Sequence, residues 1–139
     1  MYKQKIYRAK TGLKQQSEES LHKSVCDYLK AQYPKILFNS DMSGIKLTIG
    51  QSIKAAKLRS NKGFPDIAIY EPRGKFHGFF VELKREGEVL YKLNEDPKTD
   101  HIQDQLNCQR LLMAKGYYST IAIGWEDAKI KINNYLNLK

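Results

Sequence analysis

Two short apolar segments on either side of a turn-rich stretch set most of what this chain can become. Asp66-Ile67-Ala68-Ile69-Tyr70 and His77 through Lys84, the latter built around Phe79-Phe80-Val81-Glu82-Leu83, are dense in β-branched and aromatic residues. Glu71-Pro72-Arg73-Gly74-Lys75 lies between them and carries turn chemistry. Together they predict a β-hairpin. Side chains alternate along a strand, so Glu82 and Lys84 share one face and Val81 and Leu83 the other. Asp66 and Glu82 are equidistant from Gly74. An odd-length loop centred there sets the two carboxylates directly across from each other. Like charges so placed destabilise a sheet unless a cation lies between them. A hard divalent cation such as Mg²⁺ takes oxygen ligands of this kind.

That juxtaposition suggests phosphodiester chemistry. A metal on Asp66 and Glu82 lowers the pKa of a bound water and polarises a phosphoryl oxygen. Lys84 then either stabilises the charge of the transition state or orients and deprotonates the water. Singly, each residue has a plainer use. Glu82 with Lys84 suits a surface ion pair, Asp66 after Pro65 a turn, and Glu18 the positive end of a helix. The shared face makes the site the better reading.

The rest of the chain alternates helical and extended patterns. Residues 18–32 predict a helix, with Leu21, Val25, Tyr28 and Leu29 at helical spacing, Ser17 as N-cap and Pro34 just beyond. Lys35-Ile36-Leu37-Phe38-Asn39 suits a buried strand. A short helix is allowed around Ser52–Leu58. The charged stretch 85–98 reads as a loop. A second main helix is expected from Asp100 to Lys115, with Asp100 and Gln103 as a capping pair and Gly116 as its C-terminal glycine. Tyr117–Ile123 reads as a strand and Ala128–Leu136 as a final helix. The order predicts an α/β domain around a small mixed sheet. Residues 1–16 are polar and basic and read as a flexible arm or one that lies on DNA; residues 17–139 form a single domain of ordinary size.

Charge narrows the partner. Lys and Arg number 24 against 15 Asp and Glu, a formal charge of +9, which favours polyanions and nucleic acid first. Residues 40–63 carry Lys46, Lys54, Lys57, Arg59 and Lys62 against Asp41 alone. Lys54, Lys57, Arg59 and Lys62 are the candidate phosphate contacts, with a solvated loop as the alternative. Cys26 and Cys108 lack metal-ligand spacing and read as reduced core thiols. No apolar run approaches a membrane span and the N-terminus lacks a signal-peptide core, so a cytoplasmic protein is expected.

These residues resemble a known family. Pro65-Asp66 and Glu82-Leu83-Lys84 are similar to the two halves of the PD-(D/E)XK nuclease signature. Glu18-Glu19-Ser20-Leu21-His22, Gly63-Phe64-Pro65-Asp66, Glu82-Leu83-Lys84 and then Gln105, Leu112 and Gly116 resemble, in order, the pattern of its VRR-NUC branch over about residues 17–136. The resemblance implies a restriction-endonuclease-like α-β-β-β-α-β core. It implies Mg²⁺ or Mn²⁺ held by Asp66, Glu82 and the main-chain carbonyl of Leu83, with Glu18 nearby and Gln105 supporting the site beside Lys84. His22 stands where the family usually has Gln, and either replaces its hydrogen bonding or is idle. Glu18 is preferred over Glu19 because it extends the stripe of Leu21. Stand-alone viral and phage members resemble Holliday-junction resolvases and act as dimers. A phage-encoded chain would work in the cytoplasm of its bacterial host.

The expectation is thus a metal-dependent DNA endonuclease, dimeric and selective for branched DNA such as four-way junctions, with no organic cofactor and no membrane partner. A nicking or general duplex nuclease, and a non-catalytic DNA-binding module on the same fold, are the alternatives.

Overall fold

The computed structural model describes residues 16–41 and 46–139; the arm expected over residues 1–16 lies, apart from Gln16, outside them. The chain opens with helix α1 (Glu18–Gln32), where Ser17 accepts a hydrogen bond from the Ser20 amide as N-cap. Strand β1 (Phe38–Ser40), helix α2 (Ile49–Lys57), strands β2 (Ile67–Ile69) and β3 (Phe79–Lys84), helix α3 (Asp100–Ala114), strand β4 (Tyr118–Ile123) and helix α4 (Gly124–Leu136) follow. The sheet order is β1-β2-β3-β4, antiparallel except that β3 and β4 run parallel. The small mixed sheet flanked by helices matches the expected α/β architecture, and the parallel step is made by α3 as a crossover.

Alternation along β3 divides the layers. Val81 and Leu83, with Phe79, are fully buried in a core that also takes Leu21, Val25 and Leu29 of α1 and Ala128, Ile132 and Tyr135 of α4. On the other side Ile121 and Ile123 of β4 pack with Ile102 of α3 and Leu90. Phe79 stacks on Tyr135 with ring centroids 4.6 Å apart, which locks α4 to the sheet.

The β2–β3 ladder is centred on Gly74, as the spacing requires: Ile67 pairs with Val81, Ala68 with Phe80 and Ile69 with Phe79. The tip differs from a simple odd loop. Arg73 and Phe76 exchange both backbone hydrogen bonds, at 3.1 and 2.9 Å, around a two-residue turn of Gly74 and Lys75, with Gly74 at φ 55°. Tyr70, Glu71 and Pro72 on one limb therefore face only His77 and Gly78 on the other, and the extra residue is absorbed as a bulge.

Three boundaries depart from expectation. The cap of α3 is Thr99, which accepts from the Ile102 amide, rather than the Asp100–Gln103 pair. Strand β1 is shorter than 35–39 because only Phe38, Asn39 and Ser40 find partners on β2. Helix α4 starts at Gly124, directly from the end of β4, and Asp127 reaches back to the Ile123 amide at 2.9 Å. Both cysteines are free, and burial pushes both thiols above their ordinary range. No helix among the described residues is long and apolar enough to cross a membrane.

Candidate metal centre

The Glu82 side of β3 carries charge into the interior. Asp66, Glu82 and Lys84 are all buried, which is costly for ionic groups unless they are paired. Asp66 lies just before β2, one residue beyond the last ladder pair of Ile67 with Val81. Its Oδ2 accepts from the Leu83 amide at 2.7 Å, so a side chain takes over where backbone pairing stops. Glu82 Oε1 accepts from Gln105 Nε2 at 2.6 Å and lies 3.6 Å from Lys84 Nζ. Glu82 Oε2 is buried and has no hydrogen-bond partner among the described residues.

Glu18 completes the group. It is the first residue of α1, a helix of the opposite layer, and one oxygen each of Glu18, Asp66 and Glu82 lies within 4.8 Å of the others. Burial, then the charge of Asp66, pushes the Glu82 carboxyl well above the ordinary carboxylate range, with Lys84 opposing. Glu18 is raised as well, chiefly by partial desolvation, with Lys84 acting against it. The Asp66 and Glu82 carboxylates lie close together, within the same 4.8 Å cluster. Two ionised carboxylates have no hydrogen between them, so this contact needs either a proton or a cation. The donor set is all hard oxygen, which fits Mg²⁺ or Mn²⁺ and leaves the orphaned Glu82 Oε2 as a ready ligand.

Of the expected residues, the fold brings together Asp66, Glu82, Lys84, Glu18 and Gln105. His22 is buried and its Nε2 contacts Ser40 Oγ, so it is engaged rather than idle. Gly63 explains how the Pro65-Asp66 turn comes so close to α3. It sits at φ +80°, and a Cβ there would lie 2.5 Å from the Asp104 carbonyl carbon and 2.6 Å from the Gln105 amide nitrogen. The basic segment lies mostly at the surface. Lys54, Lys57 and Lys62 are exposed, whereas Arg59 Nη2 binds Asp41 Oδ1 at 2.7 Å, the only acidic residue between positions 40 and 63 of the sequence.

Two neighbours were not singled out in the sequence. Glu88 Oε1 lies 4.0 Å from Lys84 Nζ and adds negative charge near Glu18. His101 Nε2 lies 3.1 Å from Gln105 Nε2, one helical turn before it. The i, i+4 spacing to Gln105 was the available signal for His101. Glu88 sits in an irregular segment, where spacing carries none.

No family model and no curated protein matches the chain. A solved structure described as "VRR_NUC domain protein" does, with a TM-score of 0.64 at 21% identity, over 91% of this chain and 93% of that one. The agreement spans nearly the whole of both molecules. The chain therefore has the fold of a VRR-NUC domain, a PD-(D/E)XK-like α/β fold.

Proposed function

We propose that this protein is a metal-dependent DNA endonuclease that hydrolyses phosphodiester bonds, selective for branched DNA such as four-way junctions and working as a homodimer in the cytoplasm. The observation that carries the reading is the cluster of Glu18, Asp66 and Glu82, one oxygen of each within 4.8 Å of the others, in which Glu82 Oε2 is buried without a hydrogen-bond partner among the described residues. Asp66, Glu82 and the Leu83 carbonyl would hold Mg²⁺ or Mn²⁺, with Glu18 directly or through water. Such an ion supplies an activated water and polarises the scissile phosphate. Gln105 fixes the Glu82 carboxylate through Oε1 and so leaves Oε2 for the ion. Lys84, held between Glu82 and Glu88, would stabilise the negative charge that grows on the phosphoryl oxygens. Lys54, Lys57 and Lys62 contribute phosphate contacts, and Arg59 does so only if it leaves Asp41. A symmetric junction needs two coordinated cuts, which two-fold symmetry supplies.

The test is cleavage of a four-way junction, a linear duplex and single-stranded DNA in Mg²⁺, Mn²⁺ or EDTA, by the protein and by Lys84→Ala. Metal-dependent cutting of the junction, lost in the variant, is expected. Equal cutting of junction and duplex would replace the branched substrate with a general or nicking activity. Tight binding without cutting under every condition would leave a DNA-binding module.

A further inference from the structure

Helix α2 is amphipathic in the wrong sense for a helix that packs on its own domain. None of its residues is buried. Ala55 on one side is half-buried, whereas Ile49 and Ile53, one turn apart, are 83% and 53% exposed on the opposite side. Lys57 continues that row and Lys54 flanks it, both exposed. A nine-residue helix is marginal by itself, yet this one has a complete capping box between Thr48 and Gln51. The helix is thus built to present two aliphatic side chains to something outside the described residues.

Charge selects the occupant. Between residues 46 and 62 there are five Lys and Arg and no Asp or Glu. A second copy meeting this face about a two-fold axis would set like charge against like. Residues 1–15 also carry only basic charges, Lys3, Lys5, Arg8, Lys10 and Lys14. A polyanion with apolar surface to offer remains, and DNA whose bases are unstacked is one. The helix is also tied to the metal centre. Arg59 binds Asp41 at 2.7 Å, and the Asp41 amide donates to the Asp66 carbonyl at 2.7 Å.

We infer that α2 is a wedge that recognises the branch point, with Ile49 and Ile53 against the faces of unstacked bases and Lys54 and Lys57 on the flanking phosphates. This rests on the nuclease reading above and adds the element that distinguishes branched from linear DNA. A side chain that fills the gap left by lost stacking favours DNA that is already unstacked, because in a continuous duplex each step must first be unstacked at a cost in free energy. Charge contacts alone favour both forms alike. The Arg59–Asp41–Asp66 chain then fixes the distance from wedge to cut.

The test measures binding, in Ca²⁺, to a four-way junction carrying 2-aminopurine at the branch and to a linear duplex of the same sequence. The variants are Ile49→Ala/Ile53→Ala, which improves helix propensity while removing the wedge, and Lys54→Ala/Lys57→Ala. The wild type should prefer the junction and brighten 2-aminopurine. The isoleucine variant should keep its duplex affinity and salt dependence but lose about ten-fold in junction preference, together with the fluorescence gain. The lysine variant should weaken both complexes alike and reduce the salt slope by about two. Unchanged preference in the isoleucine variant overturns the wedge, as does a dimer that falls to monomers on sedimentation of that variant. Failure of the wild type to bind either DNA overturns the nuclease reading, and the wedge with it.

Discussion

Burying Glu82 beside Asp66 and Glu18 costs free energy in the metal-free protein, and the cost has a definite pH dependence. The folded-state carboxyl of Glu82 is raised, and that of Glu18 shifts the same way. The folded protein therefore holds protons that the unfolded chain has released. Stability is full below the ordinary carboxylate range and is lost as pH rises through the raised value of Glu82. In EDTA, thermal denaturation should show this decline, and Glu82→Gln should flatten it. A variant as pH-sensitive as the parent would refute the assignment. Gly63→Ala should cost about 2–4 kcal/mol by urea denaturation, since both the positive φ and the Asp104 backbone oppose a side chain. Asp66, Glu82 and Lys84 were legible in the sequence because a two-residue period and equidistance from Gly74 fix their relation. Gln105 and Glu18 needed the family pattern, because helix positions say nothing of what lies across the sheet. Glu88 was not legible, since its approach to Lys84 depends on the path of an irregular loop.

Among the elements, those with local chemical signals were found and those without were misplaced. Ser17 capped α1 where expected, and Gly116 ended α3 at φ +90°. Thr99 was passed over for Asp100 because both residues suit a cap, and only the geometry separates them. Thr99→Ala should cost about 1 kcal/mol in chemical denaturation and Asp100→Ala less than half of that; the reverse order would argue for the other cap. The start of α4 was hidden because no Ser, Thr, Asn or Asp precedes it: the strand runs straight into the helix and the cap-like bond comes from Asp127, four residues inside. The capping box of α2 held a helix whose tertiary role its apolar pattern could not reveal, since the pattern assumes that apolar residues face inward.

At the scale of the molecule, α1 and α4 pack in one core and α3 in the other, and α1 brings Glu18 to the buried carboxylates of Asp66 and Glu82. Ion binding should therefore clamp two layers together. Mg²⁺ or Mn²⁺ at about a hundred times its dissociation constant should stabilise the fold by about 2.7 kcal/mol in a melting experiment. Asp66→Asn should abolish most of that gain, and an undiminished gain would place the ion elsewhere. The hairpin gives the domain a different kind of latitude. Its tip closes on its own two-residue turn, while the ladder keeps a separate register across the bulge of Tyr70, Glu71 and Pro72. Residues added or lost at the tip need not move the ladder. A one-residue slip nearer β3 would turn Glu82 and Lys84 into the core and Val81 and Leu83 out of it. Length at the tip and chemistry at the base are thus set independently of each other.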